Sequence, residues 1–422
     1  MNEFVPEGWK SVKFKDVFND YKYGPRFSSK DYDDSGNVKT IRGTDVSSVG
    51  EIKYQQVPTA KLDRNLVNNN KLCNGDLVMI TTADCGVTAV FYEQKIPYIA
   101  SAYAIRLTPS KDISSEYIKF FMQTFNAKKQ VESLVRKGTV ANLPGSDVMS
   151  LVLKLPPLPE QQKIAAILTS VDEVIEKTQA QINKLKDLKT GMMQELLTRG
   201  VGVDGKPHTE FKDSPVGRIP KGWEVVKLSD TGKWKGGGTP SKSNKDYWSG
   251  SIPWVSPKDM KLDFISRTKD LITEDAIKGS STNLITKNSL LMVVRSGILQ
   301  HTLPVAIAAC DLTINQDMKA LSVSKGYCVN FIFYYLQAHN HTVLRATLKA
   351  GNTVESIDFN EFGKYLIPSP SLEEQVRISD VVASISNKIK VKEYKLSSLK
   401  NTKKALMQDL LTGKVRVKID IE

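Results

Sequence analysis

Two long amphipathic segments constrain the fold of this chain more than any other feature. The first begins at Pro159 and runs to Gly200, and the second begins at Leu372 and runs to Gly413, each with an apolar residue every three or four positions. Helices of this length are typical of coiled-coil arms, because helices in globular cores are usually much shorter. At 1.5 Å per residue, each arm is expected to extend roughly 60 Å.

The two arms share one heptad register. Positions a and d are apolar in eight of ten places in each arm, and the polar exceptions occupy the same two slots in both. Such a seam must be buried, and we expect the arms to pair as an antiparallel coiled coil; the alternative is that each arm packs on its own globular domain. The seam comprises Ile164, Leu168, Val171, Ile175, Thr178, Ile182, Leu185, Lys189, Met192 and Leu196 in the first arm, and Ile378, Val382, Ile385, Ile389, Lys392, Leu396, Leu399, Lys403, Leu406 and Leu410 in the second.

The arms belong to a tandem repeat with an offset of 214 residues. Trp223 falls on Trp9 and Pro220 on Pro6, and similar matches continue into the arms. One offset over many Trp, Pro and Gly positions indicates two copies of a unit in which a globular head precedes a helical arm. The predicted domains are a first head over 1–158, a central arm over 159–200, a linker and second head over 201–371, and a C-terminal arm over 372–422.

The ends of both arms carry helix-terminating signals. Ser371 is predicted to be an N-cap with Glu374 at N3, which together would form a capping box. Pro159 suits the first position of the other arm, where a missing N–H costs little. Gly200 and Gly413 stand where a glycine commonly ends a helix.

Each head shows mixed α and β patterns, so the predicted fold class is α+β, with internal pseudo-twofold symmetry. The loops differ between the copies: "TTADCGVT" from Thr81 faces "VRSGILQH" from Val294. Divergent loops on a repeated frame are typical of two recognition modules for different ligands of one class. Strands are predicted within 76–92, 98–108, 289–297 and 304–310, and single helices over 116–138 and 330–351.

Composition leaves the partner open. The chain has 422 residues and a net charge of +13, which suits a polyanion partner and equally suits plain solubility. The first residues lack the apolar segment of a signal peptide, and no apolar run reaches the length of a membrane span. Because the four cysteines are not spaced like metal ligands, we expect free thiols in a cytoplasmic protein.

The sequence lacks the motifs of the enzymes that act on DNA. No [DNS]-P-P-[YFW] tetrapeptide of an adenine methyltransferase is present, and Thr412–Val415 lacks the upstream glycine and the hydroxyl of a P-loop. No Pro-Asp dipeptide marks a magnesium-dependent nuclease. His339 and His341 make a poor metal pair on a helix. We therefore expect a chain that is not an enzyme and binds no metal or cofactor.

These features together resemble the DNA-specificity subunit of type I restriction–modification enzymes. The resemblance covers the whole chain. In the first copy, Tyr23, Gly24 and Pro25 stand where Gly237–Thr239 stand in the second, which predicts a different loop class. The supporting motifs are "PEGWKSVKFKDV", "PKGWEVVKLSD", "GGGTPSKSNKDYW", "SIPWVSPKDM", "LPPLPEQQKIAAIL", "IPSPSLEEQVRISDVV", "LLTRG" and "LLTGKVRV".

The resemblance implies that each head is a target-recognition domain for one half of a bipartite site in double-stranded DNA. It implies that the arms space the heads and dock two methyltransferase subunits, which bring S-adenosylmethionine. Two motor–nuclease subunits that use ATP and Mg would complete the restriction enzyme, and no membrane is involved. A simpler or fused modification system, and a coiled-coil scaffold that does not bind DNA, remain alternatives; the missing motifs oppose a standalone modifying enzyme.

We expect DNA contacts from residues in polar loops and at strand ends. Each such residue could equally be ordinary surface charge. The predicted contacts are Arg26, Arg42, Thr82, Arg136 and Lys137 in the first head, and Lys242, Lys258, Arg295, Gln300 and Lys349 in the second.

Overall fold

The computed structural model describes residues 5–349 and 354–419. The chain divides into two compact units: residues up to Gln179 with those from Tyr394 onward, and residues Ala180 to Glu393. Each unit therefore contains one head and one half of each long helix. None of the described helices is both long and apolar enough to cross a membrane.

The first unit builds its head from short strands and helices that precede the first long helix. A four-stranded antiparallel sheet has the order β2-β8-β5-β6, a three-stranded sheet has the order β4-β3-β7, and β1 pairs with β9. The strands are β1 (Lys10–Lys13), β2 (Phe18–Tyr23), β3 (Val38–Ile41), β4 (Thr59–Ala60), β5 (Leu77–Ile80), β6 (Thr88–Val90), β7 (Tyr98–Ala100), β8 (Ala104–Pro109) and β9 (Val152–Leu155). The helices are α1 (Arg64–Asn70), α2 (Ser115–Met122), α3 (Phe125–Leu134), α4 (Gly145–Val148) and α5 (Leu158–Arg199).

The second unit repeats this plan with one added strand on each of the two main sheets. Its sheets have the orders β13-β21-β18-β19-β15 and β16-β14-β20-β17, with β12 paired to β22 and β10 to β11. The strands are β10 (Phe211–Lys212), β11 (Ile219–Pro220), β12 (Glu224–Lys227), β13 (Gly232–Gly236), β14 (Ile252–Val255), β15 (Phe264–Ile265), β16 (Asp270–Ile272), β17 (Leu284–Ile285), β18 (Leu290–Val293), β19 (Val305–Ala308), β20 (Leu312–Ile314), β21 (Met318–Val323) and β22 (Leu366–Ser369). The helices are α6 (Glu274–Lys278), α7 (Val329–Ala338), α8 (Asn340–Thr347), α9 (Phe359–Lys364) and α10 (Leu372–Leu410).

Each helix predicted as a single element in the heads is in fact two helices. In the first head the chain breaks at Gln123 and Thr124, because the Thr124 hydroxyl accepts the Ala127 N–H at 3.2 Å and so starts α3 as an N-cap. In the second head His339 joins α7 to α8. The last two residues of the predicted 330–351 helix lie outside the described residues. The aromatic residues predicted as core in α2 and α7 are buried, among them Phe120, Phe121, Tyr334 and Tyr335.

A β-bulge in the first head shifts the repeat by one residue. The register of β2 against β8 slips between Phe18 and Asp20, so one extra residue enters that strand. The structural counterpart of Gly24 is therefore Gly237, and the alignment of Gly24 with Gly238 was wrong. A Cβ on Gly24 would lie 1.9 Å from the Ala100 carbonyl oxygen, and one on Gly237 would lie 2.1 Å from that of Ile314. Only glycine permits this close approach, so both copies keep it.

In the first unit, α5 and α10 run antiparallel along the head. The Lys403 ammonium lies 2.7 Å from Asp172 Oδ1, and Ile164 and Leu168 share a core with Leu410 and with head residues. Helix pairing and packing on the head therefore occur together. Within this unit, every seam position is buried or half-buried.

The second unit pairs the other halves of the same helices. Lys186 Nζ lies 2.7 Å from Glu393 Oε1, and Met193 and Leu197 share the head core with Ile378 and Val382. The seam lysine Lys392 donates to Gln181 Oε1 at 2.8 Å, so a polar seam position is satisfied across the helix pair. Here too every seam residue is at least half-buried.

In each unit, a buried glutamate near the start of a long helix accepts a hydrogen bond from a tryptophan near the start of the head. Trp9 Nε1 donates to Glu160 Oε2 at 3.0 Å, and Trp223 Nε1 donates to Glu374 Oε2 at 3.0 Å. Ser371 does cap α10, since the Glu374 N–H donates to its hydroxyl at 3.3 Å. The Glu374 carboxylate, however, bonds Trp223 and the Val201 N–H, so the predicted capping box gives way to a tertiary contact.

The basic side chain beside this carboxylate differs between the copies. Arg416 binds Glu160 through two nitrogens, at 2.7 and 2.8 Å, whereas His208 Nε2 lies 2.8 Å from Glu374 Oε1. Gly200 and Gly413 end the two long helices with φ of 69° and 72°, as predicted for terminal glycines.

Candidate nucleic-acid interface

In the first head, several strand ends meet at one edge. Strands β3 and β7 run parallel, and β2 and β5 both run antiparallel to β8. The carboxyl ends of β2, β3, β5 and β7 therefore meet the start of β8. Hydrogen bonds join them: Ser101 N donates to Ile41 O at 2.9 Å, Thr81 N to Tyr103 O at 3.0 Å, and Gly24 N to Ala104 O at 3.2 Å.

A hairpin-like segment from Arg136 to Asn142 adds to this edge. Arg136 and Asn142 exchange backbone hydrogen bonds of 2.8 and 3.2 Å, and Thr82 forms a bridge with Asn142. The Tyr23 hydroxyl also accepts the Gly145 N–H at 2.6 Å. These contacts give one continuous surface of loops on a rigid sheet frame, which is the usual placement of recognition residues.

The second head presents the same edge with other side chains. Asn315 N donates to Val255 O at 2.9 Å, Val294 N to Asp317 O at 2.8 Å, and Ile357 N to Val294 O at 2.8 Å. Arg295 forms a bridge with Ser356, as Thr82 does with Asn142 in the first head. The frame is thus repeated while the exposed residues change.

The structure brings most of the first-head candidates to this edge. Arg42 follows β3, Thr82 follows β5, and Arg136 and Lys137 begin the added segment. Arg26 is exposed in the loop that follows β2. Arg136 also lies 3.6 Å from Asp147, in a loose and exposed ion pair.

The second-head candidates fall into two groups. Arg295 and Lys349 are exposed and their backbones bond the same residue, Ser356. Gln300 Nε2 donates to Glu355 Oε1 at 2.7 Å. Lys258 is exposed in the short turn after β14, and Lys242 in the longer loop after β13. Thr82 in the first head and Arg295 in the second occupy equivalent backbone positions. The same holds for Arg136 and Lys349.

Arg42 is held in place by its own turn. Its Nε lies 3.0 Å from Asp45 Oδ2 and its second terminal nitrogen 3.0 Å from Oδ1, and the Asp45 side chain is fully buried. The hydrogen bond to Asp45 raises the pKa of Arg42, so this cation stays charged. Partial burial raises the pKa of the neighbouring Tyr32, although the positive charge of Arg42 partly lowers that pKa. A fixed guanidinium of this kind suits a planar acceptor.

Sequence reasoning missed the residues just before β8 and β21. Tyr103 is 64% exposed at the centre of the first edge. In the second head, Gln316 is exposed, and its Oε1 accepts the Thr239 hydroxyl. Tyr103 lies inside the segment predicted as strand over 98–108, so its position in a three-residue loop between β7 and β8 was not visible. An aromatic residue next to small residues, as in "ASAYA", was the available signal.

The described residues hold no cluster of three or more His, Cys, Asp or Glu side chains that could bind a metal ion. One cavity of about 800 Å³ lies in the second unit between α5 and the head, lined by Lys189, Met193, Leu303 and His341 among others. Another, of about 340 Å³, lies in the first unit beside Cys85 and Lys137.

Comparison with known proteins matches both copies to one family. The family model described as "Type I restriction modification DNA specificity domain" matches residues 6–187 and again residues 220–401. The two matches are offset by 214 residues at both ends, which is the repeat seen in the sequence.

Individual relatives agree with this match. The specificity subunit of the EcoR124I/EcoR124II restriction enzyme of Escherichia coli is 38% identical over 205 residues, 48% of this chain and 50% of that protein. The putative MjaX specificity subunit of Methanocaldococcus jannaschii is 27% identical over 429 residues, 98% of this chain and 95% of that protein. The chain thus spans about half of the first relative and nearly all of the second.

The fold matches a solved S subunit from M. genitalium with a TM-score of 0.60 and 15% identity, covering 97% of each chain. A second solved structure, from work on complex assembly in the type I R-M system, matches with a TM-score of 0.56 and 18% identity over 98% of this chain. Because the family model covers most of the sequence in two copies, the chain belongs to the type I restriction–modification DNA specificity family.

Proposed function

We propose that the chain is a sequence-specific DNA-binding subunit that recognises a bipartite site, with one half-site per head. The observation that carries this proposal is the loop edge, which has the same backbone frame in both heads and different exposed side chains. Direct readout of bases needs such variable polar side chains on a rigid support. The net charge of +13 favours approach to the phosphate backbone.

The proposal extends to partners. The chain directs two methyltransferase subunits, and in the restriction form two motor–nuclease subunits, to its site. It performs no catalysis and binds no cofactor; S-adenosylmethionine, ATP and Mg belong to those partners. Support comes from family membership and from the absence of methyltransferase, P-loop and nuclease motifs in the sequence.

Methylation profiling of a strain that expresses the chain with its methyltransferase partner tests the proposal. We expect methylated bases in two short half-sequences separated by an unspecified spacer. The purified chain alone, given labelled S-adenosylmethionine and DNA, should transfer no methyl group. Salt-dependent DNA binding by the complex separates this function from a coiled-coil scaffold, which would show no DNA binding.

A further inference from the structure

The three-residue loop before β8, and its counterpart before β21, occupy the centre of the two candidate interfaces. In the first head the loop is Ser101–Tyr103, and in the second it is Asn315–Asp317. Each loop bonds both neighbours: its first N–H donates to the end of β3 or β14, and its last carbonyl accepts from the segment after β5 or β18. Each loop therefore lies between the two other segments that form the edge.

Both loops use the same device to hold their backbone. The first residue is 5% exposed in each, and its side-chain oxygen accepts the N–H of the third residue, at 3.4 Å for Ser101 and 3.1 Å for Asn315. Such turns fix the loop without occupying its outer face. The side chains that face outward are thus free to differ.

The outward side chains have contrasting chemistry. Tyr103 presents a ring that stacks on no other aromatic ring within residues 5–349 or 354–419. In the second head, Asn315 Nδ2 holds Asp317 at 3.0 Å, which leaves Gln316 as the exposed member. The Thr239 hydroxyl fixes the Gln316 amide, so its Nε2 points away from that contact.

We propose that this loop determines base preference in each half-site, with Tyr103 contacting a thymine methyl group and Gln316 reading an adenine. The inference rests on the proposed function and names the base chemistry at the same surface. An apolar ring recognises the thymine 5-methyl in the major groove, and a side-chain amide pairs with adenine N6 and N7. A pinned loop keeps the entropy cost of these contacts low.

Tyr103 is tested with a graded pair of variants in the assembled methyltransferase complex. Tyr103→Ala should raise methylation of sites with the wrong base at one position of one half-site about tenfold, because one apolar base contact is lost. Tyr103→Phe keeps the ring and should keep the specificity. Phe125→Ala is the matched control, since Phe125 is 82% exposed at the far end of α3 from the interface edge.

Gln316→Glu tests the second head, because it should change the base that this head prefers at one position. A carboxylate accepts from cytosine N4 but cannot donate to adenine N7, so one position of the other half-site should change from adenine to cytosine. Asn288→Asp adds the same charge at the opposite edge, before β18, and should leave the motif unchanged.

The outcomes separate the two levels of the proposal. A wild-type complex that methylates no bipartite site would overturn the proposed function. A wild-type complex with a bipartite site, whose motif is unaltered by both Tyr103→Ala and Gln316→Glu, would overturn this inference alone. If Tyr103→Ala fails to assemble, the Gln316→Glu result still decides it.

Discussion

At the scale of single residues, two buried carboxylates do structural work that depends on distant partners. Glu160 and Glu374 each accept a tryptophan N–H and each contact a basic side chain. A buried carboxylate without its partners is costly, so these contacts should hold the start of each head against the long helices. The copies differ in that this basic residue is an arginine in one and a histidine in the other.

Arg416→Ala should destabilise the first unit by about 2 kcal/mol. Removing one partner of a fully buried pair costs about 3–5 kcal/mol, and the value should be smaller here because Arg416 is 43% exposed. Hydrogen exchange around Trp9 in the full chain measures the effect. Lys177→Ala, which removes an exposed i,i+4 pair, should cost well under 1 kcal/mol and serves as the control.

Arg295→Ala should weaken DNA binding by the assembled complex by about 1–3 kcal/mol, if Arg295 contacts a base at the second-head edge. Arg267 is also exposed but follows β15 at the opposite edge, so Arg267→Ala should leave affinity unchanged. Binding isotherms at two salt concentrations distinguish the roles, because loss of a phosphate contact lowers the salt slope by about 1. Equal effects of both variants would contradict the mapping.

At the scale of elements, the two long helices are built from one heptad pattern but are stabilised by different surroundings along their length. Ile164 and Leu168 pack into a head core, while Asp172 and Lys403 form an ion pair across the helix pair. The seam residues contact both the head and the other long helix. Sliding one helix along the other would therefore break both sets of contacts. The helices are therefore expected to act as a ruler for the two half-sites.

An insertion of four helical residues after Gln179 tests the ruler. It adds about 6 Å of helix, close to two base pairs of DNA, and shifts the seam by about half a heptad, so some stability should be lost. Methylation profiling should find both half-sequences with one or two more spacer base pairs. The same insertion in the linker after Asp204 is the control and should leave the spacer unchanged. An active arm variant with the old spacer would contradict the ruler.

At the scale of the whole molecule, the repeat makes the heads candidates for independent exchange. The first unit contains the chain from Tyr394 onward, and Arg416 donates to the Glu7 carbonyl at 2.7 Å. An exchanged first head must therefore keep Trp9 and the backbone around Glu7, which meet the resident C-terminal segment.

Exchange of residues 1–155 for the first head of a relative should change one half-site and leave the other intact. The physical reason is that each head has its own core and its own loop edge. Methylation profiling of the hybrid complex is the measurement. A folded, active hybrid in which both half-sites changed would show that the heads do not read DNA independently.

The sequence by itself determined the features that depend on local period and composition. The 214-residue repeat, the two arms, the terminal glycines and the buried aromatic residues of α2 and α7 all follow from spacing along the chain. These signals are strong because helices and their caps are held by contacts between residues three or four apart. The same reasoning found that strand-end loops differ between the copies.

The tertiary structure decided what depends on contacts distant in sequence. Trp223 and Glu374 are 151 residues apart, so no local pattern shows that the predicted capping glutamate will bond a tryptophan instead. The bulge in β2 likewise depends on pairing with β8, which is distant in sequence. Above all, the meeting of Arg42, Thr82 and Tyr103 at one edge required strand order and direction, which are fixed by long-range hydrogen bonds.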